Sequence, residues 1–348
     1  MKKKWDALLF LVILAIGSLS LLVIFSIDKN LAANQFVFWI IGLVTLFLIS
    51  FLDYKIWGKL SIPFYFLAIF TLSLLFLVGE PVRGSVRWID LGIFRFQPSE
   101  IAKVGTIFIL AVFYLERSAA DFKNLIYSFL IILPVISLIF WEPDVGNVLA
   151  ILGIWFGISL ACGIRPKHLT YLSISLLILG AILFKLLAPY QQARIKTFIN
   201  PSADPLGTGY HLIQSKIAVG SGEFIGRGLG RGSQSGLKFL PEAESDFIFA
   251  ATVEQLGFLG GVLLIILFSF LIHKILKITG SVDRFGQLVI VGTASFLILQ
   301  YTVNISMNMG LLPITGITLP LYSYGGSSLI STLFLLGVIF SIIRFNRQ

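Results

Sequence analysis

Residues 7–26 read ALLFLVILAIGSLSLLVIFS, twenty positions without one charged side chain. At 1.5 Å rise per residue such a run makes a helix about 30 Å long, the thickness of a bilayer's hydrocarbon core. Lys2-Lys3-Lys4 stands just before it. The run is too long for a removable signal peptide and lacks a small-residue cleavage site, so it reads as a retained anchor.

Nine more apolar stretches follow outward from it, at about 35–52, 60–78, 98–115, 125–141, 145–163, 169–187, 247–272, 286–306 and 326–343. They are rich in Leu, Ile, Phe and Val without period-2 alternation, which argues for helices over barrel strands. The composition agrees: 57% of the 348 residues are hydrophobic and 12% charged, with a mean hydropathy of +0.95. An average soluble domain is roughly 25% charged. A water-soluble globule, a disordered chain and collagen are excluded. One cysteine, Cys162, excludes a disulfide framework and a Cys-based zinc site, and three histidines argue against a polyhistidine metal site. The net charge of +9 reads here as basic loops that orient spans and meet anionic lipid, rather than as a nucleic-acid surface.

With the N-terminus in the cytoplasm, the cytoplasmic segments carry fourteen Lys and Arg and the short outer loops only Lys29, Arg83, Arg87 and Arg95. The positive-inside rule therefore places both termini in the cytoplasm. The expected fold is an all-α polytopic membrane protein of about ten transmembrane helices. It forms one integral-membrane domain over 1–348, with a large extracytoplasmic loop, about 188–246, between helices 7 and 8. The polar, Gly- and Pro-rich segments at 79–97, 142–144, 188–246 and 308–325 all fall outside, which points to a site at the outer membrane surface.

Arg87-Trp88 suits a phosphate clamp or an interfacial anchor. Pro98 opens a helix whose first turn holds Glu100, with Lys103 three residues on, so the two are placed to pair. An ionisable pair within a membrane is a functional candidate, or an anchor at headgroup level. Asp144, in Glu142-Pro143-Asp144, is a candidate site carboxylate or the cap of the next helix.

The long segment carries Arg194 and Lys196, the turn-like Asp204-Pro205-Leu206-Gly207-Thr208-Gly209, an amphipathic stretch from Leu212 to Val219, and glycines at 220, 222, 226, 228, 230 and 232. Those glycines permit close approach to a ligand, or serve as a flexible linker. Asp246 stands where this polar segment enters an apolar helix. A partly desolvated carboxylate there suits a general base; it also suits a helix cap. Glu254 lies about two turns further and needs a polar partner, with Lys103 one candidate. Between Asn304 and Ser328, two prolines and four glycines break an apolar stretch, as in a re-entrant loop against a cavity or a buried packing loop. Ser327 is at the start of the last helix, where free N–H groups suit an anion.

Taken together, these segments resemble the SEDS family (shape, elongation, division and sporulation) of bacterial cell-wall proteins. The match runs from about residue 84 to 345. It rests on Arg87-Trp88-Ile89, Gln97-Pro98-Ser99-Glu100 with Lys103, Pro143-Asp144-x-Gly146, Asp204-Pro205-Leu206-Gly207-x-Gly209-Tyr210-His211, Phe239-Leu240-Pro241-Glu242 with Asp246-Phe247-Ile248-Phe249, and Ser323-Tyr324-Gly325-Gly326-Ser327. Arg95-Phe96-Gln97-Pro98 and GYHLIQSKIAVGSG at 209–222 resemble the elongation (RodA) branch more than the division (FtsW) branch. Where members often have Glu-Glu-Leu-Gly, this chain has Glu254-Gln255-Leu256-Gly257.

The resemblance implies a peptidoglycan glycosyltransferase of the bacterial inner membrane, active on its extracytoplasmic side. The implied substrate is lipid II, polymerised during cell elongation with release of undecaprenyl diphosphate. It implies Asp246 as the base on the acceptor hydroxyl. Arg87, Lys103, Arg194 and Lys196 become candidate cations for the leaving diphosphate, with Trp88, Glu100, Asp144, Glu254 and Ser327 as further substrate contacts. A divalent ion, Mg or Mn, could assist, though no ligand cluster requires one. The implied partners are a class B penicillin-binding protein, other elongation-complex proteins and membrane lipid. A flippase of the lipid-linked precursor and a non-catalytic scaffold are the competing readings.

Overall fold

In this computed structural model, residues 6–79, 81–82, 85–90, 92, 95–172, 174, 187, 189–201, 204–205, 207 and 209–346 are described. The described chain is almost all helix. In order these are α1 (Ala7–Ile27), α2 (Lys29–Phe51), α3 (Lys55–Lys59), α4 (Ser61–Val78), α5 (Pro98–Phe113), α6 (Phe122–Trp141), α7 (Val145–Ala161), α8 (Pro189–Ile199), α9 (Tyr210–Ser221), α10 (Ser233–Gly236), α11 (Ile248–Lys277), α12 (Arg284–Asn308) and α13 (Gly326–Phe345). Between α4 and α5 run four two-residue strands, β1 (Pro81–Val82), β2 (Ser85–Val86), β3 (Ile89–Asp90) and β4 (Arg95–Phe96). They form two antiparallel pairs, β1 with β2 and β3 with β4.

Among the described residues, seven helices are long and apolar enough to cross a membrane: α1, α2, α4, α6, α11, α12 and α13. The expected spans at 98–115 and 145–163 form shorter helices, of 16 and 17 residues. They end at Tyr114 and Cys162, within two residues of the expected edges. The expected span at 169–187 lies largely outside the described residues.

The chain forms two compact units. The first comprises Met1–Leu48, Ala193–Lys274 and Leu297–Leu336. Its α1 shows how a helix apolar on all sides divides its surface. Asp6 caps it by accepting from the Leu9 N–H at 3.0 Å. Leu9, Ile13, Ile16, Ser20 and Ile24 form a buried stripe at helical spacing, while Leu11 and Phe25 stay exposed, as lipid-facing residues do. Gly17 in that stripe leaves room for Trp39: a β-carbon there would stand 2.6 Å from the indole.

The second unit comprises Ile49–Gln192, Ile275–Phe296 and Gly337–Gln348. Small residues set its helix spacing, as expected where lipid tails cancel any hydrophobic drive between helices. A β-carbon on Gly157 would overlap Ser295 Oγ at 1.8 Å, and one on Gly292 would press Ile107 and Ile158 at 3.0 Å. Gly105 lets α5 reach the backbone of α4 at Phe64.

Candidate active site: two polar clusters at helix ends

In the first unit the irregular run 309–325 and the turn 242–247 are fastened to one another. Tyr324 N–H donates to the Glu244 carbonyl at 2.8 Å, and Ser323 Oγ to the Ser245 carbonyl at 2.6 Å. Tyr322 is fully buried, and Ser20 donates to its carbonyl. This is non-helical backbone satisfied by protein, as the apolar surroundings require.

Asp246 ends that turn. Its backbone carbonyl accepts from two amides of α12, Asn304 Nδ2 at 3.0 Å and Asn308 Nδ2 at 2.9 Å. Asn304 also donates to the Ile317 carbonyl at 2.7 Å. Asn308 Oδ1 accepts from Ala250 N–H at 3.0 Å, so a neighbouring helix supplies a cap for the first turn of α11. The Asp246 carboxylate and the Arg194 guanidinium converge over Gly316. A β-carbon on Gly316 would lie 3.6 Å from Asp246 Oδ2 and 3.7 Å from Arg194 Nη1. Arg194 further donates to the Ile314 carbonyl at 3.3 Å. Lys196, on the same helix α8, is exposed. His211 stacks on Phe247, rings 6.1 Å apart and 7° from parallel. Glu244 is held above the ordinary carboxylate range by burial first, with Glu242 adding to the shift.

Glu254 finds its polar partners within its own unit. It is fully buried, and its oxygens accept from Gln234 N–H at 2.8 Å, Ser235 N–H at 2.9 Å and Ser235 Oγ at 2.7 Å, holding α10 in place. The glycine-dense run is not a free linker: Gly222, Gly226 and Gly232 pack on α11 around the break at Gly257. Asp204-Pro205 with Gly207 and Gly209 is a tight turn: Asp204 Oδ1 accepts from Gly207 N–H and its carbonyl from Gly209 N–H. Ser327 is buried in the first turn of α13, beside Gly326, which packs on the Phe38 ring.

In the second unit Asp144 is the hub. One oxygen caps α7 through Asn147 N–H at 3.2 Å. The other accepts from Asn147 Nδ2 at 2.8 Å and Gln97 Nε2 at 3.3 Å, with Arg87 Nε 3.8 Å away. Arg87 also donates to the Glu142 and Pro143 carbonyls. It thereby braces the 142–144 turn that leads into α7. Trp88 beside it is half-buried. Ser99 receives Asn147 Nδ2 at 3.0 Å. Glu100 and Lys103 pair at 2.7 Å, both buried, and Lys103 Nζ sits 4.8 Å from the Phe296 ring centre.

The residues that sequence reasoning missed are Asn304, Asn308, Gln97, Asn147 and Glu142. The signal for the asparagines was two amides one turn apart in an apolar helix. Glu142 is nearly fully buried, and neither of its carboxylate oxygens has a hydrogen-bond partner among the described residues. Burial foremost, with the Asp144 charge adding and Arg87 opposing, pushes its pKa up to about 9.

A membrane-spanning helical chain with a carboxylate and a guanidinium converging at the mouth of a broken loop defines a class: a polytopic membrane protein with a charge-based site at a helix end. The chain belongs to the FtsW/RodA/SpoVE family, the SEDS proteins, whose model, described as a cell cycle protein, matches residues 3–348. Stage V sporulation protein E of Bacillus subtilis is 37% identical over 91% of this chain and 87% of its own length. The peptidoglycan glycosyltransferase MrdB of Helicobacter pylori is 35% identical over 99% of this chain and 92% of its own, consistent with the RodA-type branch. A solved chain from a peptidoglycan synthase complex, described as coordinating polymerization and crosslinking, superposes with TM-score 0.84. It is 33% identical, with 98% of each chain covered.

Proposed function

We propose that this chain is an elongation-type peptidoglycan glycosyltransferase that polymerises lipid II at the outer face of the bacterial inner membrane. The observation that carries the reading is the convergence of Asp246 and Arg194 over Gly316, in a chain related over nearly its whole length to proteins with that activity. In the reaction, the acceptor GlcNAc 4-hydroxyl oxygen attacks C1 of the donor MurNAc. Asp246 takes the hydroxyl proton as the new C–O bond forms. The C1–O bond to phosphate breaks, and undecaprenyl diphosphate leaves with the electron pair. Arg194, reinforced by exposed Lys196, meets the charge growing on the diphosphate, where a preorganised guanidinium stabilises the transition state most.

In the second unit, Arg87, Trp88, Glu100, Lys103 and Asp144 make a preorganised polar cluster, which we read as a further substrate-contacting group. Glu254 acts as a clamp on α10 rather than as a contact, and Ser327, at the start of α13, is kept as a proposed substrate contact. The groove between α11 and α12, about 360 Å³ and lined by Phe268, Ser269, Tyr301, Thr302, Ile305 and Ser306, suits an isoprenoid tail. Among the described residues no three His, Cys, Asp or Glu side chains gather as metal ligands; a Mg or Mn ion shared between one or two carboxylates and the substrate diphosphate stays part of the proposal, and no step here runs through it. A class B penicillin-binding protein is the proposed partner. It would crosslink the strands this chain makes, within a larger elongation complex.

The test is purified lipid II in detergent with this chain and a transpeptidase-dead class B partner. Glycan ladders support the enzyme. Lipid II crossing vesicle membranes without any polymer would favour a flippase instead.

A further inference from the structure

The segment after α9 rests on α11 in a way that the glycosyltransferase reading does not use. At Gly257 the backbone of α11 turns to φ +70°, ψ −169°. Such a break releases carbonyls before it and N–H groups after it, and an apolar setting penalises both. Residues 223–228 supply the partners. Arg227 N–H donates to the Glu254 carbonyl and Gly228 N–H to that of Gln255, both at 3.0 Å. Phe258 and Leu259 N–H donate to the carbonyls of Glu223 at 2.9 Å and Phe224 at 3.2 Å. Glycine is required where the two backbones meet: a β-carbon on Gly226 would lie 2.2 Å from the Gln255 oxygen, and one on Gly257 2.3 Å from Gly226 N.

The side chains of this patch point away from the protein. Phe224 is 63% exposed and Ile225 74%. Phe224 stacks on Phe258, rings 5.9 Å apart. Phe258, Leu259, Leu263 and Ile266 are likewise exposed and run on down the helix. The stretch from Phe258 to Lys277 is twenty residues, about 30 Å, which by itself spans a hydrocarbon core. The break therefore falls at one bilayer surface, and the exposed patch continues the lipid-facing surface of the span. Arg227 and Arg231 flank it, both exposed, with Glu223 exposed at its start.

We propose that residues 223–231 are a membrane anchor. Phe224 and Ile225 enter the acyl region of the adjoining leaflet, and Arg227 and Arg231 lie among lipid phosphates. Aromatic rings and snorkelling arginines favour that depth. The occupant of the patch is lipid, not a protein partner. The proposal stands independently of the glycosyltransferase reading.

The test is site-directed spin labelling of the full chain in anionic phospholipid nanodiscs. Labels go on Ile225→Cys and, as a second reporter should the first variant fail to fold, on Leu229→Cys. The buried sole cysteine is replaced by Cys162→Ser. Leu263→Cys is the mid-span control and Lys238→Cys the water-exposed one. At 225 and 229, collisions with oxygen should outnumber those with water-soluble nickel chelate, as at 263, with the ratio reversed at 238. A 225 or 229 label that behaves like the 238 label overturns the proposal. So does a label open to nickel in the isolated chain but shielded when a class B penicillin-binding protein is added, because the patch would then be a protein interface.

Discussion

Asn308 of α12 donates its side-chain amide to the backbone carbonyl of Asp246 at 2.9 Å, while its own Oδ1 caps Ala250 N–H. One buried amide thus fixes both the proposed base and the helix that follows it. Asn304, a turn earlier, ties the same carbonyl to Ile317 in the facing loop.

Asn304→Ala and Asn308→Ala should each lower stability by about 1–3 kcal/mol, because buried partners lose their hydrogen bonds. They should also slow polymerisation more than they weaken lipid II binding, since the base is displaced but still present. Thermal melting in detergent checks the first effect, and kcat against KM the second. A rise in KM with kcat unchanged would contradict the role.

Arg194→Ala should reduce polymerisation by about a hundredfold, the scale of one lost transition-state donor. Lys196→Ala, at an exposed position, should cost far less. Initial rates on lipid II compare the two, and equal losses would show that Arg194 has no special place.

Glu142 carries a pH signature. Its pKa in the folded chain is raised from 4.5 to about 9. Between those values the folded chain keeps a proton that the unfolded chain has released, so stability falls as pH rises across that window and levels off above it. Glu142→Gln, neutral at every pH, should remove that slope. Its melting temperature should gain on the parent steadily from pH 5 to pH 9, and parallel curves would contradict the assignment.

Gly257→Ala should destabilise the chain, both by forcing an alanine to positive φ and by driving its β-carbon into Gly226. Limited proteolysis within 223–240 should speed up, and Glu254→Ala should do the same by releasing Ser235 and Gln234. Unchanged cleavage in both would contradict the clamp.

The seven long helices were legible because each is a nearly uninterrupted apolar run of bilayer length, a pattern that few other structures produce. α5 and α7 end at Phe113 and Ala161, within two residues of the expected edges, with Glu116-Arg117 and the positive-φ Gly163 following as stop signals. Asp246 was legible from its place at a polar-to-apolar edge, and the Glu100–Lys103 pair from its spacing. The rest depended on contacts distant in sequence. Nothing in Glu254-Gln255-Leu256-Gly257 announces a break that borrows partners from 223–228. Two of the glycines that suggested a ligand loop, Gly222 and Gly226, serve backbone-to-backbone packing. Arg87, expected at a phosphate, is engaged with two carbonyls and Asp144, which only the folded 142–144 turn brings within reach.

The central claim is that Asp246 removes the acceptor proton. The most direct test is glycan-strand synthesis from purified lipid II by the complex with a transpeptidase-dead class B partner, comparing the parent chain with Asp246→Asn. Asparagine keeps the shape and cannot take the proton. The account predicts ladders from the parent and none from Asp246→Asn, with the variant complex intact. Ladders formed by the variant at the parent's rate would contradict it.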